Sequence, residues 1–161
     1  MIKVLFVCLG NICRSPMAEG IFLHLVQEAG LEDQIEVDSC GTGAWHTGEK
    51  ADHRMRVTAK RHGIHLPSRA RQLKTSDFSE FDYILPMDHS NLREVNRQLG
   101  LVDNPKSAVF LMRHFDELDQ DAEVPDPYYG GPEGFEHVYE MLMRSNRNFL
   151  TYLVEKHKLK Q

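Results

Sequence analysis

The segment Ile2-Lys3-Val4-Leu5-Phe6-Val7 constrains this chain more than any other: it is short, apolar apart from Lys3, and rich in β-branched residues. A run of this kind, without polar alternation, suits a strand buried on both faces, as in the interior of a parallel sheet. Beyond it, Ala18, Ile21, Phe22, Leu25 and Val26 recur at helical spacing, with Ser15 placed to cap the helix and Pro16 suited to its first position. The stretch between, VCLGNICRSP at residues 7–16, is therefore a strand-to-helix loop. Such loops turn backbone N–H groups and the positive end of a helix dipole toward an anion.

The rest of the chain repeats the pattern. Ile35 and Val37 mark a second strand, followed by the loop Gly41-Thr42-Gly43-Ala44-Trp45 and a helix from about Asp52 to His62 that Gly63 ends. Phe81–Met87 reads as a third strand, Ser90–Leu99 as a helix and Ser107–Met112 as a fourth strand. A last helix is expected from about Pro132 to Lys156, its apolar stripe formed by Phe135, Val138, Leu142, Phe149 and Leu153 among others. Strands alternating with helices predict an α/β fold with a parallel sheet covered on both faces. Ligands in that architecture bind beyond the carboxyl ends of the strands, where the 7–16 loop lies.

At 161 residues the chain is expected to form one domain, 1–161. A formal net charge of −5 argues against nucleic-acid and anionic-membrane partners, and no apolar run is long enough to span a bilayer. The three cysteines, Cys8, Cys13 and Cys40, fit neither a disulfide framework nor a zinc pattern, so a cytoplasmic location is expected. Charge is uneven along the chain: residues 54–74 are basic and 116–123 acidic. Two solvated faces account for this, and a basic rim steering an anionic substrate is the alternative.

The loop has the composition of a phosphate-handling nucleophile. A helix N-terminus and a nearby Arg14 both favour the thiolate of Cys8. The planar fork of Arg14 can grip two phosphoryl oxygens at once. Gly10 and Asn11 tolerate left-handed backbone, which lets successive N–H groups curl around an oxyanion. Ser15 can donate its hydroxyl to the Cys8 sulfur. The competing reading is a buried structural cysteine followed by a surface arginine. A thiolate displacing a phenol from phosphorus needs an acid to protonate the leaving oxygen. The stretch EVPDPYYGG offers Asp126, stiffened between Pro125 and Pro127 and sheltered by Tyr128 and Tyr129; a plain turn before the last helix explains the same residues equally well. Cys13 lies on the same loop as Cys8, so it either packs beneath the loop or forms a reversible, protective disulfide with Cys8.

Together, VLFVCLGNICRSPMAEGIF, DSCGTGAWHTGEKADHR, SRARQ, FDYILPMDHSNL and DPYYG resemble the low-molecular-weight protein tyrosine phosphatases over nearly the whole chain. The resemblance implies a three-layer αβα fold with a four-stranded parallel sheet of flavodoxin-like topology, and no metal or other cofactor. It implies that Cys8 is the nucleophile, Arg14 the phosphate clamp and Asp126 the general acid, with Gly10 and Cys13 on the same phosphate loop. Asn11, Ser15 and Ser39 would support that loop, and Leu9, Ile12, Trp45, Tyr128 and Tyr129 would wall the pocket. Phosphotyrosine-containing proteins would be the substrates, and phosphate or other oxyanions the product or inhibitors. In this family, threonine in place of Leu9 and Ile12 accompanies phosphoarginine substrates, and this chain has the aliphatic pair. Two departures stand out: Cys40 where a small residue is usual, and Pro86 on a strand end. Arsenate reductases on the same fold use further cysteines in and after the third-strand region, whereas residues 85–100 hold none here. A phosphotyrosine-binding module without turnover is the other alternative.

Overall fold

The computed structural model describes residues 1–161 and puts the opening strand, β1 (Ile2–Cys8), inside the sheet. Its neighbours are β2 (Ile35–Gly41) and β3 (Tyr83–Pro86), with β4 (Ala108–Val109) beyond β3. The order is β2-β1-β3-β4 and every pair is parallel, the flavodoxin-like arrangement. Side chains of β1 explain its apolar run. Val4, Phe6 and Cys8 enter one core, while Leu5 and Val7 enter another on the opposite face.

Helices α1 (Arg14–Glu28) and α5 (Pro132–His157) cover the first face, where Phe22 meets Phe6 at 5.8 Å and Phe149 at 5.2 Å. Helix α2 (His53–Arg61) leans on α5, and His62 just past its end bonds Glu136 and stacks on Tyr139. The second face holds a smaller core that includes Leu73 and Phe81, with Phe78 from the short α3 (Asp77–Glu80) and Val95 from α4 (His89–Leu99). No helix is long and apolar enough to cross a membrane.

Several expectations need correction. Helix α1 begins at Arg14, two residues earlier than the Ser15 cap implied, and no side chain caps it. The Ser15 hydroxyl is instead committed inside the loop, which leaves the first amides of α1 facing outward for an anion. Strand β4 is two residues long, because the chain from Met112 to Phe115 turns into a 3-10 helix that packs Phe115 against Phe149 at 4.9 Å. Pro86 breaks no pairing. Met87 donates to the Val7 carbonyl and Phe110 to that of Ile84, so position 86 faces past the end of β4, where no N–H is needed.

The acidic stretch is not merely a solvated face. Asp116 is fully buried and accepts from Arg113 Nε (2.9 Å), Arg144 Nη2 (3.1 Å) and the Leu118 amide (3.0 Å). Burial works against this carboxylate, but Arg144, the Leu118 amide and Arg113 overcome that and hold it below the usual carboxylate range. A depressed folded pKa means the stabilisation is present above the unfolded value of about 4 and is lost as pH falls through the folded one. Asp116→Asn is therefore expected to cost about 3 kcal/mol at neutral pH, by leaving two arginines facing an uncharged group. Urea unfolding should show that gap at pH 7 and a shrinking one as pH falls below the unfolded value of about 4.

Candidate active site

The loop after β1 rests on β2 as closely as backbone can. A Cβ on Gly41 would lie 2.7 Å from the Leu9 carbonyl oxygen and 3.1 Å from the Asn11 nitrogen, so only glycine fits that position. Of the two residues expected to turn left-handed, Asn11 alone does so, at φ 57°. Its side chain explains how the turn is held. Oδ1 accepts from the Arg71 amide (3.0 Å), and Nδ2 donates to Ser15 Oγ (2.8 Å) and to Ser39 Oγ (3.0 Å). Ser39 in turn donates to Glu19 Oε1 at 2.6 Å. Glu19 is buried, and desolvation raises its pKa against the help of its serine partners.

These bonds converge on Cys8. Its sulfur lies 3.0 Å from Ser15 Oγ and accepts from the Asn11 amide at 3.3 Å. It forms part of the wall of a hollow of about 320 Å³ that opens to solvent above the carboxyl end of the sheet. Arg14 reaches the same hollow, 2% exposed as a residue. Its Nη1 donates to Asp88 Oδ2 (2.7 Å) and to the Val124 carbonyl (3.1 Å), and Nη2 lies 3.5 Å from Asp126 Oδ2. Burial opposes the charge on Arg14, but Cys8, Asp88 and Asp126 outweigh it, so the guanidinium stays protonated.

Asp126 belongs to a tethered loop. The Val124 amide donates to the Met87 carbonyl (2.8 Å), Arg113 Nη1 donates to the Glu123 carbonyl (2.9 Å), and the His89 amide donates to Glu123 Oε2 (2.8 Å). Gly10, Ile12 and Cys13 share the lining of the hollow, and Leu9, Trp45 and Tyr128 form its mouth. Trp45 is 71% exposed and lies flat across Gly43, where a Cβ would meet its ring. Tyr129 corrects the expectation of shelter for Asp126. At 92% exposed it marks the rim, and Tyr128 alone is half-buried.

Cys13 and Cys40 are both buried, and burial raises the pKa of each thiol. Cys40 lies in the core on the second face of the sheet.

Three residues of this constellation escaped the sequence reading. Asp88 both caps α4, accepting from the Asn91 amide at 2.7 Å, and orients Arg14 with its other oxygen. Aspartate before a helical pattern signals the first role, and nothing local signals the second. Glu19 reads as an ordinary exposed helix residue. His46 lies at the mouth of the hollow, held by Glu49 at 2.9 Å.

The arrangement is a sulfur, a fixed cation and a carboxyl around one anion-sized space, with uncapped helix amides at its floor. It suits nucleophilic displacement at a tetrahedral oxyanion centre. The comparisons agree. A family model described as low molecular weight phosphotyrosine protein phosphatase matches residues 3–159. A low molecular weight phosphotyrosine protein phosphatase from Schizosaccharomyces pombe is 49% identical over 150 residues, covering 92% of this chain and 95% of that protein. A crystal structure of a protein tyrosine phosphatase from Entamoeba histolytica, with Hepes in its active site, superposes with a TM-score of 0.90 at 41% identity, covering 99% of this chain and all of that one. An arginine phosphatase from Drosophila superposes with a TM-score of 0.88 at 35% identity, covering 94% of this chain and 97% of that one.

Proposed function

The chain belongs to the low molecular weight phosphotyrosine protein phosphatase family, and we propose that it hydrolyses phosphotyrosine in proteins, and small aryl phosphates, through a cysteinyl-phosphate. One observation carries this reading: the Cys8 sulfur, the Arg14 guanidinium and the Asp126 carboxyl face a single hollow, the last two 3.5 Å apart. The Cys8 thiolate attacks phosphorus while the bond to the phenolic oxygen breaks and Asp126 gives that oxygen its proton. Water then attacks the phosphocysteine, Asp126 takes the proton, and phosphate leaves as the sulfur returns to the thiolate. Arg14 and the loop amides hold the equatorial oxygens through both steps, and the Ser15 hydroxyl, 3.0 Å away, donates to the departing sulfur.

Leu9 and Ile12 make the walls aliphatic, which suits a phenyl ring at the end of a side chain long enough to reach Cys8. Residues 1–161 act as one phosphatase domain, with no metal or other cofactor, on phosphotyrosine proteins. Phosphate and other oxyanions act as product or inhibitors. Its three unpaired cysteines suit a reducing compartment, and we assign its work to the cytoplasm.

The test is an assay of the purified protein at mildly acidic pH on p-nitrophenyl phosphate and on phosphotyrosyl, phosphoseryl and phosphoarginyl peptides. Turnover of the first two, with the others left largely intact, is expected. Preference for phosphoarginine would overturn the substrate. Tight phosphotyrosyl binding without phosphate release, or thiol-dependent arsenate reduction, would overturn the reaction.

A further inference from the structure

A second hollow, of about 450 Å³, adjoins the first and shares Ile12, His46 and Tyr128 with it. Its charged lining is unequal in a particular way. The acids are already committed: Glu49 to His46 at 2.9 Å, and Asp52 to Arg54 at 3.1 Å and to the Arg54 amide at 2.8 Å. The cations are not. Arg56 spends only Nε, on the Ala51 carbonyl (2.9 Å), and Arg69 spends only Nη1, on the Gly48 carbonyl (2.9 Å). Each guanidinium is thus held by one main-chain oxygen and keeps two nitrogens free to donate.

The backbone beneath them is fixed as well. Lys50 and Arg69 pair as an antiparallel bridge, with the Gly48 amide donating to the Ala70 carbonyl and the Ala70 amide to the Glu49 carbonyl, both at 2.8 Å. Lys50, on that bridge, adds a third uncommitted charge to the same hollow. Residues 54–74 contain no Asp or Glu, so this positive field is local to one side of a chain whose net charge is −5. Part of the basic stretch is structural, since Arg71 is taken by Asp38 and Asp77. Of the remainder, Arg56 and Arg69 line this hollow beside the active one.

We infer that this hollow is a subsite for a carboxylate on the substrate chain, so that phosphotyrosyl peptides with aspartate or glutamate flanking the phosphotyrosine are the preferred substrates. The inference rests on the phosphatase reading above. Residues in an extended peptide are about 3.3–3.6 Å apart, so a side chain a few positions from the phosphotyrosine spans the shared wall. Forked guanidinium groups suit a carboxylate's two oxygens.

The test compares kcat/KM for phosphotyrosyl peptides with acidic residues on the amino side, on the carboxyl side, or replaced by Asn and Gln. On at least one side the acidic peptide should be preferred about three- to tenfold at low salt, as two or three exposed pairs allow. The preference should shrink toward parity in about 0.3 M salt. Arg56→Gln combined with Arg69→Gln should abolish it while turnover of p-nitrophenyl phosphate, which cannot reach the subsite, stays unchanged. Equal kcat/KM for acidic and amide peptides on both sides, or a preference that survives in the double variant, overturns the subsite. Should the double variant lose p-nitrophenyl phosphate turnover too, Lys50→Gln at an exposed position decides: a reduced preference supports the subsite and an unchanged one overturns it. A native protein inactive on every ester would instead bring down the phosphatase reading, and this inference with it.

Discussion

Cys8→Ser is expected to lower phosphatase turnover by at least about four orders of magnitude while leaving oxyanion binding in place. The two halves of that expectation come from different atoms. Turnover needs an anionic nucleophile, and a serine hydroxyl stays neutral at any pH where the protein is folded. The neighbours that serve the sulfur cannot make up the difference, because the Asn11 amide at 3.3 Å and Ser15 Oγ at 3.0 Å donate no more than two hydrogen bonds. Binding, by contrast, belongs to Arg14 and the uncapped amides of α1, which the substitution leaves alone. Inorganic phosphate titrated calorimetrically into the variant should bind at least as well as to the native protein, since one negative charge has gone from the hollow. Residual turnover within tenfold of the native protein would exclude Cys8 as the nucleophile. Loss of phosphate binding along with turnover would mean that the loop itself had collapsed.

Much of this site was legible in the sequence because its parts are local. A buried strand, a seven-residue Cys-to-Arg loop and an apolar helical stripe are all read from neighbouring residues, and they fix where Cys8, Arg14 and the α1 amides stand. The strands and long helices were legible for the same reason: the periodicity of β1 and α5 is set by which faces they bury. The errors lie where a residue serves a distant partner. Ser15 looks like a helix cap by position, yet its oxygen is used by Cys8 and Asn11. Residues 110–112 look like the continuation of a strand, yet the chain turns there and sets Phe115 against Phe149 and Tyr152.

Long-range polar contacts were the least legible. Asp88 meets Arg14 across 74 residues and Asn11 meets Ser39 across 28, and no spacing rule links such pairs. Asp116 shows the same limit differently. In the sequence it is one of five acids in an acidic stretch, and only folding brings Arg144 from α5 to neutralise it. The result bears on chemistry, because Arg113, held by Asp116, also binds the Glu123 carbonyl three residues before Asp126. Position and charge of the acid-bearing loop are therefore set by residues that carry no catalytic signature.

The role of Asp126 itself is best read from how its loss depends on the ester. Asp126→Asn keeps the shape of the side chain and can still accept from the Tyr128 amide, a bond of 3.0 Å in the native protein. What it cannot do is supply a proton. A phenol leaving from phosphotyrosine departs as a strong base, with a pKa near 10, so kcat/KM for phosphotyrosyl peptides should fall by about two to four orders of magnitude. A nitrophenol leaves readily as its anion, and kcat/KM for p-nitrophenyl phosphate should fall far less. The comparison has to be made in kcat/KM, because Asp126 also serves as base when water attacks the phosphocysteine. That second step is the same for every ester, and slowing it lowers kcat across the series. With p-nitrophenyl phosphate the variant should therefore release one equivalent of nitrophenol in a burst and then turn over slowly. Equal losses of kcat/KM for all esters would remove Asp126 from the role of acid, whereas a burst with a graded kcat/KM would give it both.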